Sequence, residues 1–305
     1  MFKTRYNKLN RYLANKFGSK TLKICVDGYF SCPNRTGEKG LNGCIFCSTA
    51  GSGDLINSKP TILEQITNYL SSYKATRAGK FIVYFQAFSN TYDSVANLKK
   101  KYFEAINADD RIVGLDIATR PDCINNENVK LLSEINKIKP VTVELGLQTA
   151  NDDIGKIINR CYTTDDFITA VNLLHKYNIE VVAHIMVGLP NETETDILNT
   201  VDLINKLNIE GIKIHSTYVL KNTKLCEMFN QGKYTPLTQE YYVKMVAKII
   251  SRLNPNIIIH RLTGDPPKEL LIAPQWTKHK KIVLNAIEQT LENADIFQGK
   301  EKDLR

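Results

Sequence analysis

From residue 80 onward the chain alternates short β-rich runs with amphipathic helical stretches, and this alternation limits the fold to a layered sheet with helices on its faces. The predicted strands are Phe81–Phe85, Ile112–Ala118, Val141–Leu147, Glu180–Val187 and Gly211–Val219, with the earlier run Leu22–Val26 as a sixth. Between them, Phe167, Val171 and Leu174 share one face of a helix that starts from a Thr164 cap. Ile197, Val201 and Ile204 do the same after Pro190, where Glu192, Glu194 and Asp196 are placed in the first turns, next to the positive helix end. Six such units predict an α/β protein with a partial, TIM-like (β/α)6 barrel; a flat doubly wound sheet is the competing arrangement. After residue 220 the pattern weakens into a helix at Thr238–Ser251, an apolar run Asn256–His260, a Gly/Pro-rich loop Thr263–Pro267 and a helix near Lys278–Asn293. The reading is one domain, with a core barrel over 1–220 and an extension over 221–305 that packs on it and closes its open side.

A chain of 305 residues with 43% hydrophobic and 24% charged residues can bury a full core. It contains no run of 18 or more apolar residues, and its first 20 residues lack the apolar centre of a signal peptide, so no membrane partner is expected and the cytoplasm is the expected location. The formal charge of +8 gathers in Lys3, Arg5, Lys8, Arg11, Lys16, Lys20 and Lys23, in Lys99–Lys101, and in Lys278, Lys280 and Lys281. Such patches favour a polyanionic partner.

Of seven cysteines, Cys32, Cys44 and Cys47 crowd into a loop with three glycines between the first two of them, too rich in turn formers for helix or strand. The chain is too large to need disulfide staples, so the crowding favours a metal site. A cubane cluster held only by protein takes four thiolates. Three would leave one iron open to an exchangeable ligand. Zinc is the rival, since Cys-x-x-Cys is a common half-site, and Cys25 in the preceding strand could serve as its fourth ligand. Cys25, Cys123, Cys161 and Cys226 otherwise read as small buried hydrophobes.

Strand side chains alternate, so Glu144, Gly146 and Gln148 share one face while Val143, Leu145 and Leu147 share the other. Lys213 and His215 likewise oppose Ile212 and Ile214, and His184 opposes Ala183 and Ile185. Outer helices demand an apolar face, so the polar sets should point into the barrel, and they are candidate site residues.

The C-x11-C-x2-C loop at 28–48, with Tyr84-Phe-Gln-Ala-Phe-Ser-Asn-Thr-Tyr92, Thr119-Arg-Pro-Asp122, Glu144-Leu-Gly-Leu-Gln-Thr149, Gly188-Leu-Pro-Asn-Glu-Thr193, Lys213-Ile-His215 and His260-Arg-Leu-Thr-Gly-Asp265, resembles the Elongator-catalytic-subunit-like branch of the radical SAM superfamily, in its small stand-alone bacterial form without an acetyltransferase domain. The resemblance implies a radical SAM barrel holding a [4Fe–4S] cluster on Cys32, Cys44 and Cys47. It implies that S-adenosylmethionine (SAM) binds the open iron and is cleaved there by reduction to give a 5′-deoxyadenosyl radical. Flavodoxin or ferredoxin would donate the electron, and tRNA, modified at the wobble uridine, would be the substrate; alternatives are a small metabolite such as a porphyrin-like molecule, or a non-enzymatic zinc- or cluster-bearing RNA-binding module. The same resemblance makes Gln148 and Arg160 SAM contacts and puts Gln86–Asn90 where related enzymes carry Gly-Gly-Glu. Asn90, Glu144 and His184 join them as cofactor-binding candidates, Lys213 and His215 are the catalytic candidates, and Arg261 with Asp265 would close the substrate side.

Overall fold

Seven parallel strands form one sheet in the order β1-β2-β3-β4-β5-β6-β8. The computed structural model describes residues 4–54, 56 and 60–301. The strands are β1 (Thr21–Val26), β2 (Lys80–Phe85), β3 (Ile112–Thr119), β4 (Val141–Gln148), β5 (Glu180–Val187), β6 (Gly211–Ser216) and β8 (Ile258–Arg261), while β7 (Val219–Leu220) pairs antiparallel with β9 (Leu271–Ala273) in a separate ribbon. Each crossover of the first six carries at least one helix, which is how parallel neighbours must be connected. Helices α3 (Ile62–Leu70), α4 (Val95–Ile106), α5 (Asn126–Asn136), α7 (Thr164–Lys176), α8 (Glu194–Lys206) and α10 (Gln239–Arg252) follow successive strands. Their starts are set locally: the side chains of Thr61, Ser94, Asn125, Thr163, Thr193 and Thr238 each accept a backbone N–H of the first turn. Thr163, not Thr164, is therefore the cap, and Glu192 lies outside α8.

The apolar core lies between the sheet and these helices. Ile24, Val83, Ile117, Val143, Leu145, Ala183, Ile185 and Ile214 all face it, packed against such helix residues as Leu98, Leu132, Val171 and Val201. The other face of each strand is turned inward. Helix α1 (Leu9–Phe17) packs against both edge strands, β1 and β8, so the sheet must curl far enough for one helix to bridge its edges. This is the partial barrel, and α1 sits across the mouth at the strands' N-terminal ends, where Tyr12 and Lys16 donate to Glu180 at 3.0 and 2.7 Å.

Two expectations change here. The apolar run after residue 256 is a seventh barrel strand rather than a cover, and the predicted strand Gly211–Val219 ends at Ser216 because the next apolar pair, Val219 and Leu220, turns away to pair with β9. Hydropathy marks both runs as β but says nothing about their partners. A smaller apolar cluster, including Ile45, Ile154, Ile158, Leu189, Val219 and Leu225, fastens the cysteine loop to α6 (Asp152–Ile157) and α9 (Lys224–Asn230). The C-terminal helix α11 (Lys280–Asn293) packs on α10. No helix among the described residues is long and apolar enough to cross a membrane.

Candidate functional site

The inner face of the barrel carries a charged network centred on Glu144, which is 1% exposed. Its Oε1 accepts from Lys23 Nζ at 2.9 Å, and its Oε2 accepts from His184 Nε2 at 2.7 Å and also pairs with Lys213. Lys23 further pairs with Asp116, and Lys213 Nζ donates to the Tyr84 hydroxyl at 3.1 Å. Both ammonium groups lie against the Tyr84 ring, 5.1 and 4.3 Å from its centre. The parallel register explains the convergence: Glu144 stands beside Ala118 and Val182, and His184 beside both Gly146 and Lys213, so inward-facing positions of neighbouring strands fall at adjacent levels.

Burial is the largest influence on all these groups. It would raise the Glu144 carboxyl, but Lys213, Lys23 and His184 outweigh it and hold the group well below the usual range. It lowers Lys213 to about 8, with Lys23 and Arg261 adding to the effect and Glu144 opposing it. It lowers His184 to about 4, helped by Lys213, and it takes His215 and His260 well below the ordinary imidazole value. At neutral pH the three lumenal histidines are uncharged. Lys23, Asp116 and Tyr84 belong to this site although the sequence reading did not single them out. The available signal was one polar residue in an otherwise apolar strand, as in Leu22-Lys-Ile-Cys-Val and Val-Gly-Leu-Asp-Ile-Ala.

The cysteine loop leaves the C-terminal end of β1 and is tied across the ends of its neighbours. The short helix α2 (Pro33–Thr36) follows Cys32 directly. Asn34 donates to Asn159 O at 2.6 Å and Asn159 donates back to Gly43 O at 2.7 Å, while Ile45 N bonds to Ile158 O at 3.1 Å. On the other side, Ser89 N bonds to Ser31 O at 3.1 Å and Gln86 Nε2 to Ser52 O at 2.5 Å. The Gln86–Asn90 segment is thus a seat for the loop.

Burial pushes the Cys44 thiol up to about 12, and the neighbouring Cys47 and Cys32 raise it further while Arg120 opposes them. Cys47 is raised by burial and by Cys32, against Arg35. The three sulfurs therefore lie within electrostatic reach of one another, with the Arg120 and Arg35 guanidinium groups beside Cys44 and Cys47. Among the described residues no three His, Cys, Asp or Glu side chains converge tightly enough to surround one ion. A cubane spreads its thiolates over separate irons, so a cluster on the three cysteines does not require that convergence. Cys25, kept as a possible zinc ligand, faces the lumen beside Lys213, Lys23 and Arg261 instead.

At the end of β4, Gln148 adopts a left-handed backbone (φ 59°), and its Oε1 accepts from the Tyr162 hydroxyl at 2.5 Å. A Cβ on Gly146 would meet Gln148 Nε2 at 2.5 Å, so glycine there leaves room for the amide. Arg160, a SAM contact on the resemblance, has its guanidinium engaged by the protein itself. It is completely buried, and its five N–H groups go to Tyr162 O, Leu147 O, Thr149 O, Asp152 and Thr164. Arg160 positions the β4 end and the ring of Tyr162, against which Arg120 also lies, 4.8 Å from its centre. Asn90 is fully buried; its amide donates to Ala118 O at 2.7 Å and Phe85 O at 3.2 Å, and its Oδ1 has no partner among the described residues.

Asp265 pairs with Lys280 at 2.9 Å, and both it and Arg261 act on Tyr218. Glu192 is no first-turn carboxylate: its Oε2 accepts Gly188 N and Leu189 N at 2.8 and 3.1 Å, and burial lifts it to about 8. The basic patches are partly neutralised, since Arg5, Lys8, Lys16, Lys99, Lys101 and Lys280 all form ion pairs.

A partial parallel barrel with a three-cysteine loop over its C-terminal strand ends and a polar lumen defines a class of cluster-dependent enzymes. The Radical SAM superfamily model matches residues 35–204, and the Radical SAM C-terminal domain model matches residues 209–293. The chain belongs to the radical SAM superfamily and is a radical SAM enzyme. It is 41% identical over 300 residues to the Bacillus subtilis protein YtqA, covering 97% of this chain and 92% of that one. Over 169 residues it is 30% identical to the tRNA uridine(34) acetyltransferase of Dehalococcoides mccartyi, covering 54% of this chain and 36% of the relative. Its fold is similar to that of an archaeal Methanocaldococcus infernus Elp3 with an N-terminal deletion, at a TM-score of 0.69 and 17% identity over 91% of this chain and 64% of the other.

Proposed function

We propose that Cys32, Cys44 and Cys47 hold a [4Fe–4S] cluster with SAM on its open iron, and that the enzyme uses it to modify tRNA at the wobble uridine. When bound, the cluster supplies the electron that cleaves SAM to methionine and a 5′-deoxyadenosyl radical. The observation that carries this reading is the cysteine loop seated over the strand ends, directly above a lumen whose charges are fixed by Glu144. Gln148, held by Tyr162, directs its amide to the strand ends beneath the loop, where it can bind the cofactor's polar groups. Lys213, lowered by burial to about 8, is the lumenal group best able to give or take a proton. His184 is uncharged and bonded to Glu144, which makes it an orienting group.

The tRNA assignment is supported by similarity to a tRNA uridine(34) acetyltransferase and by Lys20, Lys100 and Lys281, which are exposed and outside any ion pair among the described residues. Phosphate contacts of this kind supply most nonspecific nucleic-acid affinity. The test compares modified nucleosides in tRNA from cells with and without the gene by mass spectrometry. Loss of a uridine-34 modification is expected; an unchanged profile rejects tRNA and turns attention to a small metabolite.

A further inference from the structure

The pairing between β6 and β8 runs Gly211 with Ile258 and Ile212 with Ile259, then skips His260 and resumes at Lys213 with Arg261. A skipped residue is a β-bulge, and a bulge re-aims the side chain that follows it. Here it brings two successive residues to the lumenal side. His260 approaches Gly211, where its Nε2 would lie 2.8 Å from an added Cβ, and Arg261 takes the level of Lys213.

The half-buried Arg261 guanidinium has no hydrogen-bond or ion-pair partner among the described residues. Its charge is felt by Lys213, His184, His215, Cys25 and Tyr84, which come from four different strands, so it stands in the lumen. Even with both lumenal carboxylates ionised, Asp116 and Glu144 answer only Lys23 and Lys213, and Arg261 is left over. One more group nearby is unsatisfied: His215 Nε2, on an imidazole that feels the Arg261 charge. Tyr218 senses Arg261, Asp54, Cys47 and Asp265, so this corner lies beneath the cysteine loop, with the two carboxylates acting on Tyr218 but bonded to Ser48 and Lys280 rather than to Arg261. An unanswered guanidinium beside an idle hydrogen-bonding group in a low-dielectric chamber is built to receive an anion.

We infer that Arg261, with His215, forms a subsite for a carboxylate or phosphate group of the substrate, separate from the site that holds SAM. The inference rests on the lumen being the substrate chamber of the proposed radical enzyme. Its test uses neither tRNA nor turnover, so an unchanged tRNA profile leaves it standing and its own failure leaves the radical reading intact. Cluster-reconstituted full-length protein is titrated anaerobically with inorganic phosphate, and separately with acetate, at constant ionic strength balanced with chloride, and the thermal midpoint is followed. A specific ligand raises the midpoint by mass action.

The wild-type midpoint should rise with at least one anion. Arg261→Gln should abolish the rise, Arg261→Lys should keep part of it, and SAM affinity should stay within about twofold in both variants. The stronger response identifies a phosphate ester or a carboxylate as the substrate's group. The variants should fold, because no partner is stranded by the change. A wild-type midpoint that ignores both anions overturns the inference, as does an equal rise in Arg261→Gln. A tenfold loss of SAM affinity in Arg261→Gln also overturns it, because Arg261 would then serve SAM's own carboxylate.

Discussion

Replacing Glu144 by Gln keeps the shape of the lumenal centre and removes its charge, leaving Lys23 with Asp116 alone and Lys213 without a counter-ion. Breaking a buried ion pair from one side costs about 3–5 kcal/mol, and that loss of unfolding free energy is expected at pH 7. The pH dependence is the sharper test. In the wild type Lys213 gives up its proton near 8, below the ordinary 10.5, and Glu144 is the group that keeps it from falling further. Without Glu144 it is neutral from pH 7 upward. Between pH 7 and 9 the wild-type lysine changes from mostly protonated to mostly neutral, while the variant's is already neutral and its unfolded chain still binds the proton. Stability rises with pH wherever the unfolded state binds more protons. The variant therefore gains on the wild type by about one pH unit's worth of proton linkage, about 1.4 kcal/mol. Urea unfolding of the cluster-loaded proteins at pH 7 and pH 9, in anaerobic buffer, measures the difference. A deficit below about 1 kcal/mol at pH 7, or one that stays constant or grows toward pH 9, would refute the charge network as described.

Cys32→Ala, Cys44→Ala and Cys47→Ala should each reduce bound iron and sulfide and abolish SAM cleavage, whereas Cys226→Ala on α9 should do neither; turnover in a triad variant counts against the ligand assignment. Gln148→Ala should weaken SAM binding with iron retained. Arg160→Ala should lower stability by about 2–5 kcal/mol, because it leaves the Leu147 and Thr149 carbonyls unsatisfied at about 1–3 kcal/mol each, and a variant as stable as wild type but unable to bind SAM would make Arg160 a direct contact. Because Glu192 releases its proton only near 8 in the folded protein, its contribution to stability is present below the ordinary carboxylate range near 4.5 and is lost as pH rises toward 8. Glu192→Gln should remove that decline between pH 5 and 8, visible as a flatter curve of unfolding free energy against pH.

The sequence by itself determined what local chemistry can determine. Cys32, Cys44 and Cys47 are close along the chain, so their shared loop needed no fold to be recognised. The two-residue period of strands placed Glu144, His184, Lys213 and His215 on the face away from the helices, because apolar neighbours at alternate positions can satisfy only one side. Which of those residues meet was decided by the register between strands far apart in sequence, and only tertiary structure could join Lys23 at one end of the sheet to Glu144 across the lumen. The same holds for Arg160, which the family resemblance made a SAM contact and whose five donors the fold engages with backbone and neighbours. It holds most clearly for Arg261: a bulge is a mismatch between two strands and leaves no mark in either sequence, yet this one turns a seventh strand's arginine into the barrel and leaves it without a counter-ion.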